Sequence, residues 1–213
     1  MDTLIIPLGE ECYTCQSIDA KFSNSFRKYG FPFDYVGHTF VEKIYDNLID
    51  MFKNNKTNFD ITDYEKICET NMHGEQCYFG NIKYGFRYWH DIIEKDDDCN
   101  IFIDKYNRRY TRLYELIKES TSIIFLSVNH FDNIYKNINK YNEIIKLYEL
   151  LYSINTNIKF LAINYNDVDV TVSSNLHFIN LPVDRNLFFE KSKDIFTKTL
   201  YEYVANNIHL FAS

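Results

Sequence analysis

The second half of the chain alternates uninterrupted apolar runs with longer segments in which apolar residues recur every three or four positions. Short apolar runs bounded by turn residues are typical of buried strands, and the longer period is typical of amphipathic helices. The pattern predicts strands over 122–128, 158–163 and 176–181, and helices over 101–118, 134–152 and 188–210. Such alternation implies a mainly parallel sheet flanked by helices on both faces.

The first half of the chain is less regular but carries the same signals. Residues 4–8 form an apolar run that stops at Gly9, which predicts a short buried strand followed by a turn. A helix is predicted over 10–22, directly after this turn. A second helix is predicted to begin at His38 or Thr39, because the apolar residues that follow share one helical face.

Aromatic residues dominate the middle of the chain. Residues 76–89 predict a hairpin, since two aromatic runs flank turn-forming residues at Gly80 and Gly85. Residues 53–75 are polar, and no element is assigned to them. No repeat or break in composition divides the chain, so we predict a single α/β domain over residues 1–213.

Composition and charge narrow the class of protein. The apolar share of 46% and charged share of 25% are ordinary for a globular chain of 213 residues. A formal charge of −7 argues against nucleic-acid binding, which normally requires a basic face. The sequence contains no membrane-length apolar stretch and no signal-peptide pattern. We therefore expect a soluble cytoplasmic protein that binds neither nucleic acid nor membranes, of undetermined oligomeric state.

The cysteines suggest a reducing compartment. There are five, an odd number, so free thiols are expected. Cys12 and Cys15 form a C-x-x-C pair that suits either redox chemistry or half of a zinc site. A zinc site would need a second pair at similar spacing, whereas Cys68 and Cys77 are separated by eight intervening residues and Cys99 is alone. No nucleotide-binding or zinc-protease motif occurs either, so we expect no metal and no cofactor.

Cys12 is the strongest candidate for chemistry. It follows the predicted strand and the Gly9 turn, at the expected start of a helix. Backbone N–H groups at a helix N-terminus favour a thiolate and can bind a developing oxyanion, which makes Gly9 and Glu11 candidate oxyanion or substrate-binding positions. Nearby carboxylates of Glu10 and Glu11 would instead raise the thiol pKa. The competing interpretation is a buried structural cysteine.

Two histidines are candidate general bases for this thiol. His90 ends an aromatic run and precedes Asp91, whose carboxylate is placed to orient an imidazole. His130 follows a predicted strand of the parallel sheet, and the carboxyl edge of such sheets is where open α/β folds place their sites. Asn129 is a candidate to orient His130 or contact a substrate. The competing interpretation is an ordinary surface or core histidine.

Asp34 and a group of arginines complete the candidates. Asp34 lies among aromatic residues and would either orient a base or cap the segment leading into the second helix. Arg108, Arg109 and Arg112 share one predicted helix. Such runs are usually solvated, but an inward Arg109 would bind a carboxylate or a phosphate of a substrate.

Several segments occur in an order that resembles a known family. They are Leu8-Gly9-Glu10-Glu11-Cys12, Gly30-Phe31-Pro32-Phe33-Asp34-Tyr35, Tyr84-Gly85-Phe86-Arg87-Tyr88-Trp89-His90-Asp91 and Tyr106-Asn107-Arg108-Arg109-Tyr110-Thr111-Arg112-Leu113. This order resembles the DUF1796 family, described as papain-like cysteine peptidases of bacteria and large DNA viruses. Pro7 stands where the family has Ser, and Tyr35 where it has Trp.

The resemblance implies roles for individual residues. Cys12 matches the family nucleophile, His90 matches the base, and Asp34 and Asp91 match acids of the pattern. It also implies a papain-like α+β fold, which is the alternative to the parallel sheet that the periodicity predicts. If the chain is viral, as some family members are, the expected location becomes the host cytoplasm.

Three functional hypotheses follow. The first is a papain-like cysteine hydrolase, a peptidase or acyltransferase acting on a peptide or small acyl substrate through a Cys–His site. The second is a non-catalytic α/β module that binds a glycan, nucleotide or host protein. Glycan or nucleotide-sugar transfer is a third option that rests on fold analogy alone.

Overall fold

The computed structural model describes residues 4–8, 30–34, 36–37, 40–71, 74–95, 98–129, 139–163, 170–180 and 202. In chain order the elements are β1 (Leu4–Pro7), α1 (Val41–Lys53), β2 (Tyr64–Asn71), β3 (Gly74–Asn81), β4 (Arg87–Ile92), α2 (Asp98–Glu119), β5 (Ile123–Val128), α3 (Asn139–Ile154), β6 (Ile158–Ile163), β7 (Val170–Ser173) and β8 (Leu176–Ile179).

The larger sheet has five strands in the order β1-β5-β6-β8-β7. The first four are parallel neighbours, and β7 joins the edge in the antiparallel direction. The mainly parallel sheet predicted from the apolar runs is therefore confirmed, and the papain-like alternative is not. The edge strand β7 is absent from the prediction because its four residues are only partly buried or exposed and form no apolar run.

Both faces of this sheet are shielded from solvent. Successive strand residues point to opposite faces. Phe125 and Phe160 belong to the core beneath the described helices, whereas Ile124 and Leu161 are buried on the other face. Burial on both faces explains why the strands are continuous apolar runs. The helix predicted over 10–22 lies outside the described residues, and of the one predicted over 188–210 only Glu202 is described, in a helical conformation.

The three described helices pack their apolar stripes into one core. Their buried residues recur at intervals of three or four, as the amphipathic pattern requires: Val41, Ile44, Leu48 and Met51 in α1, Phe102, Tyr106, Tyr110, Leu113 and Ile117 in α2, and Ile144, Leu147, Tyr148 and Leu151 in α3. The strands supply the other wall of this core.

The second sheet is antiparallel, in the order β2-β3-β4. The hairpin predicted over 76–89 corresponds to β3 and β4. The observed hairpin begins earlier, at Gly74, and Tyr84 lies in the turn rather than in a strand. β2 occupies part of the segment left unassigned, after a short 3-10 turn at Ile61–Asp63. Most side chains of β2 are exposed, so the strand lacks the apolar alternation by which it could be recognised.

Two cysteines of the second sheet are joined by a disulfide. Cys68 of β2 and Cys77 of β3 are directly opposed in the strand register. The expectation that every cysteine is a free thiol is therefore wrong for this pair. The linear spacing gave no hint of it, because the pairing arises when the hairpin brings the two positions side by side.

Aromatic rings connect the second sheet to the helices. Phe102 of α2 contacts the rings of Tyr64, Phe79 and Tyr88, with centroid separations of 5.1, 4.5 and 5.0 Å. Edge-to-face and tilted ring pairs of this kind add to the hydrophobic stabilisation. The same core cluster includes Phe125 and residues of both sheets.

Candidate functional site

The ends of β1 and β5 lie side by side at the edge of the sheet that precedes the predicted nucleophile in sequence. The backbone N–H of Leu8, just beyond β1, donates to the carbonyl of Leu126 at 2.7 Å. β1 and β5 run parallel, so their carboxyl ends lie at the same edge. Gly9, Glu11 and Cys12 follow within four residues of Leu8 but lie outside the described residues.

Polar side chains are buried where β5 ends. Ser127 is 0% exposed and Asn129 is 4% exposed. The backbone N–H of Asn129 donates to the carbonyl of Ile163, at the end of the neighbouring strand, at 2.9 Å. Lys140 Nζ lies 3.5 Å from Asn129 Oδ1, at the long limit of a hydrogen bond. His130 is the next residue and lies outside the described part of the chain.

Asp34 closes a tight turn in the aromatic segment before α1. Its Oδ2 accepts the backbone N–H of Phe31 at 2.6 Å, and its own N–H donates to the Phe31 carbonyl at 3.2 Å. Asp34 is 1% exposed, so these bonds are made inside the protein. It does not cap α1, whose N-cap is Phe40 without a side-chain cap bond.

Two arginines of α2 donate hydrogen bonds to backbone carbonyls of the same segment. Arg109 Nη1 donates to the carbonyl of Phe31 at 3.3 Å, and Arg112 Nη1 donates to the carbonyl of Gly30 at 3.0 Å. The Arg109 guanidinium also lies over the Tyr106 ring, 5.2 Å from its centroid. Arg109 is thus partly buried and points inward, as the interpretation of Arg109 as a substrate-binding residue requires. Its described partners, however, are protein groups.

His90 and Asp91 occupy different surroundings although they are neighbours in sequence. His90 is exposed at the surface of β4. Asp91 is partly buried and accepts hydrogen bonds from two residues of α2, Lys105 at Oδ1 and Tyr106 at Oδ2, the latter at 2.7 Å. The observed bonds of Asp91 therefore tie β4 to α2.

Tyr106 links the acidic residues of the predicted site. Burial raises its pKa well above the usual value, and the nearby carboxylates of Asp91 and Asp34 add to the increase, with Arg109 opposing it. The hydroxyl therefore stays protonated at neutral pH and donates to Asp91. The structure brings Asp34, Arg109, Tyr106 and Asp91 to one side of α2, which means that three of the four family-like segments meet there.

Two concave features lie near α2. A cavity of about 120 Å³ beside Asp91 and Lys105 is below the range of about 300–1,000 Å³ typical of ligand sites. A groove of about 550 Å³ on the outer side of the helix falls within that range and has a polar lining that includes Asn58, Arg108 and Arg112. Acidic groups of Asp104 and Glu115 share this groove.

Sequence reasoning missed the residues that complete these contacts. Lys105 and Tyr106 donate hydrogen bonds to Asp91, yet one lysine and one tyrosine, in a chain with 18 Tyr, do not stand out in the sequence. The group formed by Cys68, Glu75 and Cys77, with ligand atoms within 4.8 Å of one another, is likewise invisible to linear spacing.

No family model, curated protein or solved structure matches this chain. The resemblance to DUF1796, and the residue roles that it implies, therefore stay predictions. None of the helices within the described ranges has the length and apolar character needed to span a bilayer.

Proposed function

We propose that the chain is a cysteine-dependent hydrolase or acyltransferase of the DUF1796 type, with Cys12 as nucleophile at the carboxyl edge of the parallel sheet. The observation that carries the proposal is the hydrogen bond between Leu8 and Leu126, which sets the ends of β1 and β5 side by side. Cys12 follows Leu8 by four residues, a stretch of chain that spans at most about 14 Å, and this short separation supports its assignment to this edge.

His130 is the preferred general base in this proposal, and His90 is its rival. His130 directly follows Asn129, at the end of the strand that neighbours β1. His90, by contrast, is exposed on the antiparallel sheet, and its expected orienting acid, Asp91, accepts from Lys105 and Tyr106. Asn129 is buried and is the candidate to orient the His130 imidazole.

The chemistry would follow the general Cys–His scheme. The Cys12 thiolate attacks the carbonyl carbon of an ester or amide, and the backbone N–H groups around Gly9 and Glu11 bind the oxyanion. The imidazolium then protonates the leaving group, which leaves an acyl group on the sulfur. Water, activated by the same imidazole, hydrolyses the thioester and restores the thiol.

An acylation experiment tests the nucleophile. We expect p-nitrophenyl acetate to release a burst of one nitrophenolate per chain and to leave one acetyl group on Cys12, as identified by peptide mass spectrometry. Cys12→Ser should abolish the burst, whereas the matched variants Cys15→Ser and Cys99→Ser should retain it. A burst that survives in Cys12→Ser, or acetylation spread over several cysteines, would overturn the proposal.

The pH profile of alkylation identifies the base. An imidazole partner stabilises the thiolate, so the rate of Cys12 with iodoacetamide should stay high well below the free-thiol pKa of about 8.5. His130→Gln should shift the profile towards that of free cysteine, and His90→Gln should leave it unchanged. The reverse result would assign the base to His90. A profile like that of free cysteine in the wild type would favour the non-catalytic binding module instead.

A further inference from the structure

The distal half of the β2–β3 hairpin carries three metal-ligating side chains on one face. Cys68 is opposite Cys77, and Thr70 is opposite Glu75. Residues two apart in a strand share a face, so Cys68, Cys77 and Glu75 point to the same side. Their sulfur atoms and a carboxylate oxygen lie within 4.8 Å of one another.

The group is open to solvent. Cys68 and Glu75 are exposed, and Cys77 is half-buried. In the disulfide form the sulfurs bond each other and cannot act as thiolate ligands. An exposed sulfur is, however, accessible to attack by an external thiolate, which is the first step of thiol–disulfide exchange.

We propose that this pair is reversible, and that in its reduced form Cys68, Cys77 and Glu75 bind a thiophilic divalent cation such as Zn²⁺. A cellular dithiol supplies the reduction: it gives two electrons and two protons to the disulfide and is itself oxidised to a disulfide. Binding of the cation then releases the two cysteine protons, since the ligands are thiolates.

The positions suit tetrahedral coordination. Zn–S bonds of about 2.3 Å and Zn–O bonds of about 2.1 Å place neighbouring ligand atoms about 3.7 Å apart. Cys68 and Cys77 already face each other across the hairpin. Once the disulfide is reduced, their sulfur atoms are free to move apart to this distance. Three protein ligands leave the fourth position to water, and the cluster of two thiolates with a carboxylate favours Zn²⁺ over Mg²⁺ or Ca²⁺.

Redox state would therefore decide whether this face of the hairpin carries a metal. The disulfide and the metal site use the same two sulfurs, so they exclude each other. The spacing of the cysteines along the sequence predicted no metal site. Strand pairing brings Cys77 and Glu75 next to Cys68, so the set of ligands exists only in the folded hairpin.

A metal titration tests the proposal directly. Replacing Cys12, Cys15 and Cys99 by serine leaves the hairpin pair as the only cysteines of the five. After reduction and anaerobic removal of dithiothreitol, this background should bind one Zn²⁺ in competition with a chromophoric chelator. Co²⁺ should produce a thiolate charge-transfer absorption, and the oxidised background should bind neither ion.

Ligand variants separate this site from general surface binding. Cys68→Ser and Cys77→Ser should lower Zn²⁺ affinity by more than about 100-fold, because mutating residues that only hydrogen-bond to metal ligands already lowers metal affinity by about 10- to 100-fold. Glu75→Gln should lower it by about 10- to 100-fold, and Glu65→Gln, an exposed matched control on the opposite face of β2, should not. Equal affinity in the reduced background and Cys68→Ser would overturn the site, as would a pair that dithiothreitol fails to reduce in the folded protein. Equal effects of Glu75→Gln and Glu65→Gln on Zn²⁺ affinity would show that the Glu75 carboxylate is not a ligand.

Discussion

At the scale of single residues, close backbone approaches set the strictest limits on substitution. Gly37 pairs with Arg87 of β4, and the indole of Trp89 lies directly over it. A Cβ at Gly37 would lie 2.5 Å from Trp89 Cζ3, whereas a Cβ at Gly80 would meet Ile67 Cδ1 at the same distance. The first obstacle is a rigid ring, and the second is the end of a flexible side chain.

Gly37→Ala should therefore destabilise the protein more than Gly80→Ala. Overpacking against the indole should cost about 1–3 kcal/mol in the free energy of unfolding, because the ring must shift with its neighbours. Ile67 can rotate away, and alanine recovers part of the backbone entropy that glycine loses on folding. Urea unfolding of both variants measures the difference, and equal destabilisation would show that Trp89 moves as easily as Ile67.

At the scale of elements, a buried carboxylate joins α1 to the turn between β3 and β4. Asp50 accepts hydrogen bonds from Lys83 and Tyr84 of the turn and from Asn54 at the end of α1. Burial acts to raise the pKa of Asp50, but the bonds from these three residues outweigh it, so the pKa lies below its usual value near 3.8. The ionised form is thus the one that stabilises the contact.

This tie should make stability depend on acid pH. A carboxylate whose pKa is lower in the folded state contributes stability that is complete above the unfolded pKa, and this contribution is lost as the pH falls below about 4. Asp50→Asn should cost about 1–3 kcal/mol at pH 7, since donors lose a charged acceptor. Its deficit relative to wild type should shrink below pH 4.

Asp46→Asn provides the matched control, since Asp46 lies on the same helix but is exposed. Its unfolding free energy should follow the wild-type curve at every pH. A deficit of Asp50→Asn that stays constant from pH 7 to pH 3 would contradict the assigned role of the ionised carboxylate.

At the scale of the whole molecule, one apolar core connects both sheets. Phe125 and Phe160 of the parallel sheet belong to the same buried cluster as Tyr88 of the antiparallel sheet, with Phe102 of α2 among them. A core shared in this way couples the unfolding of the parts that it joins, because exposing one wall removes the contacts of the other.

Unfolding should therefore be a single transition by independent probes. The chain has one tryptophan, Trp89, which reports on β4, whereas far-ultraviolet circular dichroism is dominated by the helices. Both signals should change at the same urea concentration. Phe160→Ala, in the parallel sheet, should cost about 3–5 kcal/mol and shift both midpoints equally. A tryptophan midpoint that stays in place would show that the two sheets unfold separately.

The sequence by itself determined the elements that are buried or amphipathic. Apolar runs such as 158–163 are stable only in a sheet that is covered on both faces. The apolar residues of α2 recur with the helical period, so that this helix must pack one face against a core. The parallel sheet and its helices follow from these local demands. The polar strand β2 and the edge strand β7 do not, since an exposed strand has no apolar pattern to reveal it.

Tertiary structure decided which side chains meet. The partners of Asp91 are on α2, two partners of Asp50 are in the distant turn between β3 and β4, and Cys68 meets Cys77 only when the hairpin forms. Contacts of this kind join positions far apart in the chain or fix a strand register, and register depends on turns and packing rather than on residue type. The candidate residues were therefore visible in the sequence, whereas their partners were not.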